Sequence, residues 1–165
     1  MEKMLKDRVA VVSGSGRGIG RAVAILFAQE GAKVVVSDID PAPAQETASE
    51  IKKLGGECLV YPGDVTQPEF GEGIVKQAAQ AWGALHILVN NAGYTWDAVI
   101  HKMTDPQWEA MLAVHLTAPF RLIRAAAPYF REAAKQEKET GKVINRKIIN
   151  VSSIAGTRGN AGQAN

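Results

Sequence analysis

The chain has 165 residues, 46% of them apolar, enough for one ordinary domain with a core and too apolar for disorder. Its 19 Lys and Arg against 17 Asp and Glu leave a formal charge of +2, with no dense basic run and no interleaved aromatics, so nucleic acid is not expected as a partner. Cys58 is the one cysteine, which rules out a disulfide within these residues; it fits a reducing, cytoplasmic setting and reads as a small buried hydrophobe.

The opening MEKMLKDRVAVVSG mixes charges into its start and offers only VAVV before a glycine-rich turn, too short for a signal segment or a membrane span. No targeting elsewhere and no membrane partner are expected. RVAVVS is the first strand and AVAILFAQEG the first helix, closed by Gly31; AKVVVSD is the second strand. APAQETASEIKKLGG is the next helix, with Pro41 at its start and Gly55 and Gly56 at its end, and ECLVYPGD is the third strand. TQPEFGEGIVKQAAQAWG predicts a helix capped by Thr66, with Pro68 in its first turn and Gly83 as its stop.

LHILVNNAG is a fourth strand running into a turn. From Thr104, with Gln107 three residues on for a capping box, one long helix is expected over 106–138, kinked or made irregular by Pro119 and Pro128. REAAKQEKETGKVINRK reads as a solvated helix end plus a loop, and KIINVSS as the fifth strand. Strands apolar on consecutive positions and alternating with helices point to an α/β fold, a doubly wound parallel sheet covered on both faces. No repeat, linker or composition shift divides residues 1–165, and no metal site is expected.

SGSGRGIG sits between the first strand and the first helix, where backbone N–H groups and a helix N-terminus can meet a pyrophosphate. Its glycines are Gly14, Gly18 and Gly20, a spacing different from G-x-G-x-x-G, and Ser15, Arg17 and Ile19 belong to the same turn. Glycine also serves tight turns that hold no ligand. Asp38 ends the second strand, twenty positions after Gly18, where a carboxylate accepts from both ribose hydroxyls of an adenosine half. A 2′-phosphate there meets a like charge, which favours NAD(H); Arg17 is a cation within reach of such a phosphate and leaves NADP(H) open. The alternative for Asp38 is a strand-end turn residue.

SGSGRGIG, then GDV at 63–65, NNAG at 90–93 and NVSSIAG at 150–156, each after a strand, together resemble the short-chain dehydrogenase/reductase family over essentially the whole chain. KIINVSSIAGTRGNAGQAN looks most like the 3-oxoacyl-acyl-carrier-protein reductases. The resemblance implies a Rossmann-like fold in which Gly14, Gly18, Ile19 and Gly20 cradle the pyrophosphate and Asp64 and Val65 contact the adenine. It further implies that Asn90, Ala92 and Gly93 line the cofactor cleft, and that Ser153 hydrogen-bonds the substrate carbonyl as charge develops on it. Ser152 is the runner-up. The plainer readings are a strand-end turn for NNAG and caps for both serines.

Where His115 stands the family usually has an asparagine that holds a water linking the catalytic lysine to solvent. A histidine can keep that relay with a new pH dependence, and it can equally be structural. The family's proton donor is a Tyr-x-x-x-Lys pair whose tyrosine is expected at the position right after Asn165. A tyrosine has a pKa of about 10, which a neighbouring ammonium brings toward neutrality. Tyr61, Tyr94 and Tyr129 are not in that sequence. The expectation is therefore a dinucleotide-binding domain truncated at its C-terminal end, belonging to a longer reductase and inactive alone.

The implied reaction interconverts a ketone and a secondary alcohol, on an acyl thioester or another small molecule, in fatty-acid metabolism. A 3-hydroxyacyl or other alcohol dehydrogenase is a variant of it; a non-catalytic dinucleotide-binding or sensing protein is the competing class. The resemblance also implies a homotetramer or homodimer in which the long helix meets its mate, although Trp108, Leu112, Leu116, Leu122 and Ile123 serve equally for packing within the chain.

Overall fold

A computed structural model describes residues 3–165. The strands Val9–Val12 (β1), Lys33–Val36 (β2), Glu57–Val60 (β3), Ile87–Asn90 (β4) and Lys147–Asn150 (β5) form one parallel sheet in the order β3-β2-β1-β4-β5. The chain winds outward from β1 to β3 and then returns to β4 on the other side of β1, so the winding reverses between β1 and β4. A crevice opens at the C-terminal ends of strands that part in this way.

Side chains of one strand point alternately to the two faces, and each face has its own core. Val9, Val11, Val35 and Leu88 pack under helices Phe70–Trp82 (α3) and Ala118–Glu139 (α5); Ala10, Val12, Val34, Val36 and Val89 pack under Gly18–Gln29 (α1) and Pro41–Lys53 (α2). All four β1 residues are buried, which is why the strand reads as a continuous apolar run. Each buried valine or leucine contributes roughly 1.5–3 kcal/mol by leaving water. Cys58 lies in the second core, its thiol donating to the Ala48 carbonyl, and burial pushes its pKa up.

Two expectations about the helices are corrected. Thr66 does not cap α3: the helix begins at Phe70, after a turn in which Thr66 donates its N–H and hydroxyl to Asp64. Asp64 competes for the threonine as an Asx-turn residue, and the helix starts one turn later. The long helix is two helices, Asp105–Leu112 (α4) and α5, joined by a wide turn over Ala113–Thr117. Pro119 offers no N–H to the His115 carbonyl four residues back, and the ladder slips to five-residue spacing, with the Ala118 N–H donating to Ala113. Pro128 stays inside α5 without ending it.

The charged stretch after α5 is not wholly solvated. Arg146 folds back on Glu137 with two hydrogen bonds, 2.9 and 2.5 Å, and the two side chains keep only 9% and 15% of their surface exposed. The Thr104–Gln107 capping box forms, as does the stop at Gly83, which takes a left-handed conformation. Trp108 and Leu116 are exposed while Leu122 is buried, so the apolar positions named on the long helix do not share one face. Among the described residues no helix is long and apolar enough to cross a membrane.

Candidate active site

The turn after β1 is built on backbone approach. Gly14 has φ 63°, and a Cβ there would lie 2.7 Å from the Ala92 Cα; a Cβ on Gly20 would overlap the Gly14 carbonyl oxygen. Only hydrogen fits at both places, so the turn lies flat against the end of β4 and α1 starts directly beneath it. Arg17, at the helix start, supplies no side-chain cap, and the first turn of α1 holds no acidic residue. Its free N–H groups and dipole are therefore available to an anion.

These residues border a cavity of about 780 Å³ lined by Gly14, Arg17, Gly18, Ile19, Gly20 and Asp38, with Asp64, Val65, Ala92 and Gly93 on its other sides. Its size suits a cofactor. Asp38 is fixed before any ligand arrives: Oδ2 accepts from the Gly16 N–H at 3.0 Å and Oδ1 from the Asp40 N–H at 3.2 Å. At Asp64, burial acts to raise the carboxyl pKa, but hydrogen bonds from the Thr66 N–H, the Thr66 hydroxyl and the Gln67 amide together hold it below its ordinary value. The flat glycine turn, the open helix start and the acid at the end of β2 thus fit a dinucleotide.

A second cavity of about 800 Å³ shares Ile19, Asn91, Ala92, Gly93 and Tyr94 with the first and brings in His115, Ser152 and Ser153. The Ser153 Oγ accepts from the Ala155 N–H at 3.2 Å, the capping role of the plain reading, yet its proton remains free to be donated into the cavity. His115 meets the Tyr94 carbonyl with Nε2 at 2.8 Å. Both residues named for catalysis thus line one chamber, reached from β5 and from the widened turn before α5.

Ser15 and Asn90 stand apart from both cavities. Ser15 is fully buried and joins β1 to β2, donating to Val12 and Ser37 carbonyls and accepting from the Ser37 N–H. Asn90 is buried behind the cleft and donates to Asn150 at 2.8 Å. Asn91 takes the lining position, its Nδ2 donating to the Ser13 and Gly14 carbonyls. Ser13, which the sequence reading passed over, accepts from both Asn91 and Ala92 N–H groups at 3.1 Å and so ties the glycine turn to NNAG. A buried serine closing an apolar strand was the available signal. Asp97 and Gln163, also unanticipated, hydrogen-bond at 3.0 Å in the wall of the second cavity.

Known proteins similar to this chain point the same way. The chain is 41% identical to the hydroxyacyl-CoA dehydrogenase ChsB1 of Mycobacterium tuberculosis, covering 98% of this chain and 51% of that protein. It is 35% identical to the 3-oxoacyl-[acyl-carrier-protein] reductase FabG of Thermotoga maritima, covering 98% and 61%. A crystal structure of a short chain dehydrogenase from Mycobacterium avium superposes with a TM-score of 0.87 at 38% identity, over 97% of this chain and 57% of that one. The chain thus spans about half to three fifths of the length of these relatives. The short chain dehydrogenase family model matches residues 8–165, so that the glycine turn, the switch point and the serine loop all fall inside the match, and the chain belongs to that family.

Proposed function

We propose that this chain forms the cofactor half of an NAD(H)-dependent oxidoreductase interconverting a 3-oxoacyl and a 3-hydroxyacyl thioester. The observation that carries the reading is the shared wall: Ile19 and residues 91–94 border both the glycine-turn cavity and the chamber holding Ser153 and His115. A dinucleotide in the first cavity would reach a substrate in the second across that wall. When bound, it supplies or accepts a hydride; the chain's own part is to bind it, orient it and steady the substrate oxygen.

Gly14, Gly18, Ile19 and Gly20 take the pyrophosphate, Asp38 takes the adenosine ribose, and Asp64 and Val65 flank the adenine. Ser153 donates its hydroxyl proton to the substrate carbonyl, where negative charge grows during reduction. One relative is named for a hydroxyacyl-CoA and the other for a 3-oxoacyl-[acyl-carrier-protein], an alcohol and a ketone on acyl thioesters, which supports a 3-oxoacyl or 3-hydroxyacyl thioester substrate. Asp38 supports NAD(H) over NADP(H) through repulsion of a 2′-phosphate. Assembly as a homodimer or homotetramer belongs to the same proposal, supported by the exposed Leu116 and Phe120.

The test is a steady-state assay of the full protein that carries this chain, following NADH absorbance with acetoacetyl thioester and, in reverse, NAD⁺ with 3-hydroxybutyryl thioester. Turnover with either is the expected result. Tight NADH binding without turnover of any 3-oxo or 3-hydroxy thioester would favour the sensing alternative.

A further inference from the structure

The two arginines beside the glycine turn are already engaged. The Arg17 Nη2 lies 2.8 Å from Asp40 Oδ2, and Arg21 is paired with Glu50. Both arginines line an open depression beside the glycine turn, together with Asp40 and Glu46. Asp40 is itself placed by two further contacts: its N–H donates to Asp38, and its Oδ1 accepts from the Ala42 N–H as the cap of α2. One short segment therefore points Asp38 into the cofactor cavity and turns Asp40 outward onto Arg17.

From this arrangement we propose that Asp40 is a second determinant of cofactor choice, acting through Arg17. A 2′-phosphate beside Asp38 would need a compensating cation, and Arg17 is the one in the turn that lines the cavity. Asp40 holds that guanidinium in an ion pair, so an incoming phosphate must first break the pair. Asp38 repels the phosphate and Asp40 withholds its counterion; the preference rests on both. The inference depends on the dinucleotide reading above.

The test is fluorescence titration of the full protein with NADH and with NADPH, for the wild type and for Asp40→Asn, Arg17→Ala and the double variant. Asparagine keeps an oxygen to cap α2, and far-ultraviolet circular dichroism checks that the variants fold. Asp40→Asn should tighten NADPH binding about two- to fivefold, the range expected for releasing one exposed ion pair, with NADH binding little changed. In the Arg17→Ala background the same substitution should change nothing. Unaltered NADPH affinity in Asp40→Asn, or an equal gain without Arg17, overturns the proposal while leaving the dinucleotide reading intact. Binding of neither nucleotide to the wild type would overturn both.

Discussion

The imidazole of His115 fills the space above Gly93 while its Nε2 stands 2.8 Å from the Tyr94 carbonyl oxygen. A carbonyl only accepts, so Nε2 carries the proton and the ring fastens the widened turn between α4 and α5 to the exit of β4. A Cβ on residue 93 would overlap the ring. Gly93→Ala should therefore cost about 1–3 kcal/mol, because a packed group must move. In a His115→Ala background the same change should cost much less, since the clash is gone. Urea unfolding of the four proteins checks the cycle, and additive losses would show that the ring and Gly93 are not coupled.

This contact illustrates which parts of the molecule were legible in the sequence. Local signals worked wherever one residue decides the backbone: Pro41 at a helix start, Gly83 at a helix end, and Thr104 with Gln107 in a capping box. The parallel sheet followed from strands apolar at every position. Thr66 failed because a hydroxyl can serve a helix or a neighbouring aspartate, and only the packing of α3 chooses between them. Ser13 and Asn91 were missed for a related reason, since each acts across a pair of strands whose neighbours lie far away in sequence. His115 was singled out from a departure in pattern, but its partner Tyr94 was not foreseeable from spacing.

His86 gives the fold an acid limit. It is 6% exposed just before β4, and its Nδ1 accepts from the Val9 N–H at 3.0 Å, a bond that needs a deprotonated Nδ1. Burial, then the nearby Arg8 and Arg146, lower its pKa, with Glu137 acting weakly the other way. The unfolded histidine thus binds its proton at a pH where the folded one does not. Stability should be unaffected by His86 above pH about 6.5 and should fall as the pH drops below that value, by at most about 1.4 kcal/mol per pH unit, levelling off below the folded pKa. Melting temperature measured from pH 8 to pH 5 reads this, and His86→Gln should flatten the slope. An identical slope in the variant would assign the acid sensitivity to other groups.

The glycine turn permits a sharper test of cofactor geometry. Gly20→Ala puts a methyl into the Gly14 carbonyl, so the turn must open or α1 must shift. NADH affinity should fall by at least about tenfold, since in the proposed site the pyrophosphate would meet positioned backbone N–H groups. Gly55→Ala serves as a control: it lies at the end of α2, away from both cavities, and has open space at its Cβ, so its φ of 78° costs stability without touching the site. Equal loss of NADH affinity in both variants would point to general unfolding and against the turn as the phosphate site.

On the proposed function, Ser153 is the residue that would meet the substrate oxygen. Among the described residues its Oγ is engaged only as an acceptor, from the Ala155 N–H, within the wall of the second cavity. Ser153→Ala removes the proton that would meet the substrate oxygen and leaves the shared wall of Ile19 and residues 91–94 untouched. In the full protein kcat should fall roughly 10²–10³-fold, the usual cost of losing one donor to a developing oxyanion, with NADH affinity nearly unchanged. Ser153→Thr, which restores a hydroxyl, should recover part of the rate. The parallel Ser152→Ala variant identifies which serine acts: a larger loss there than at Ser153 would transfer the role to Ser152, and unchanged turnover in both would remove the serine loop from the reaction.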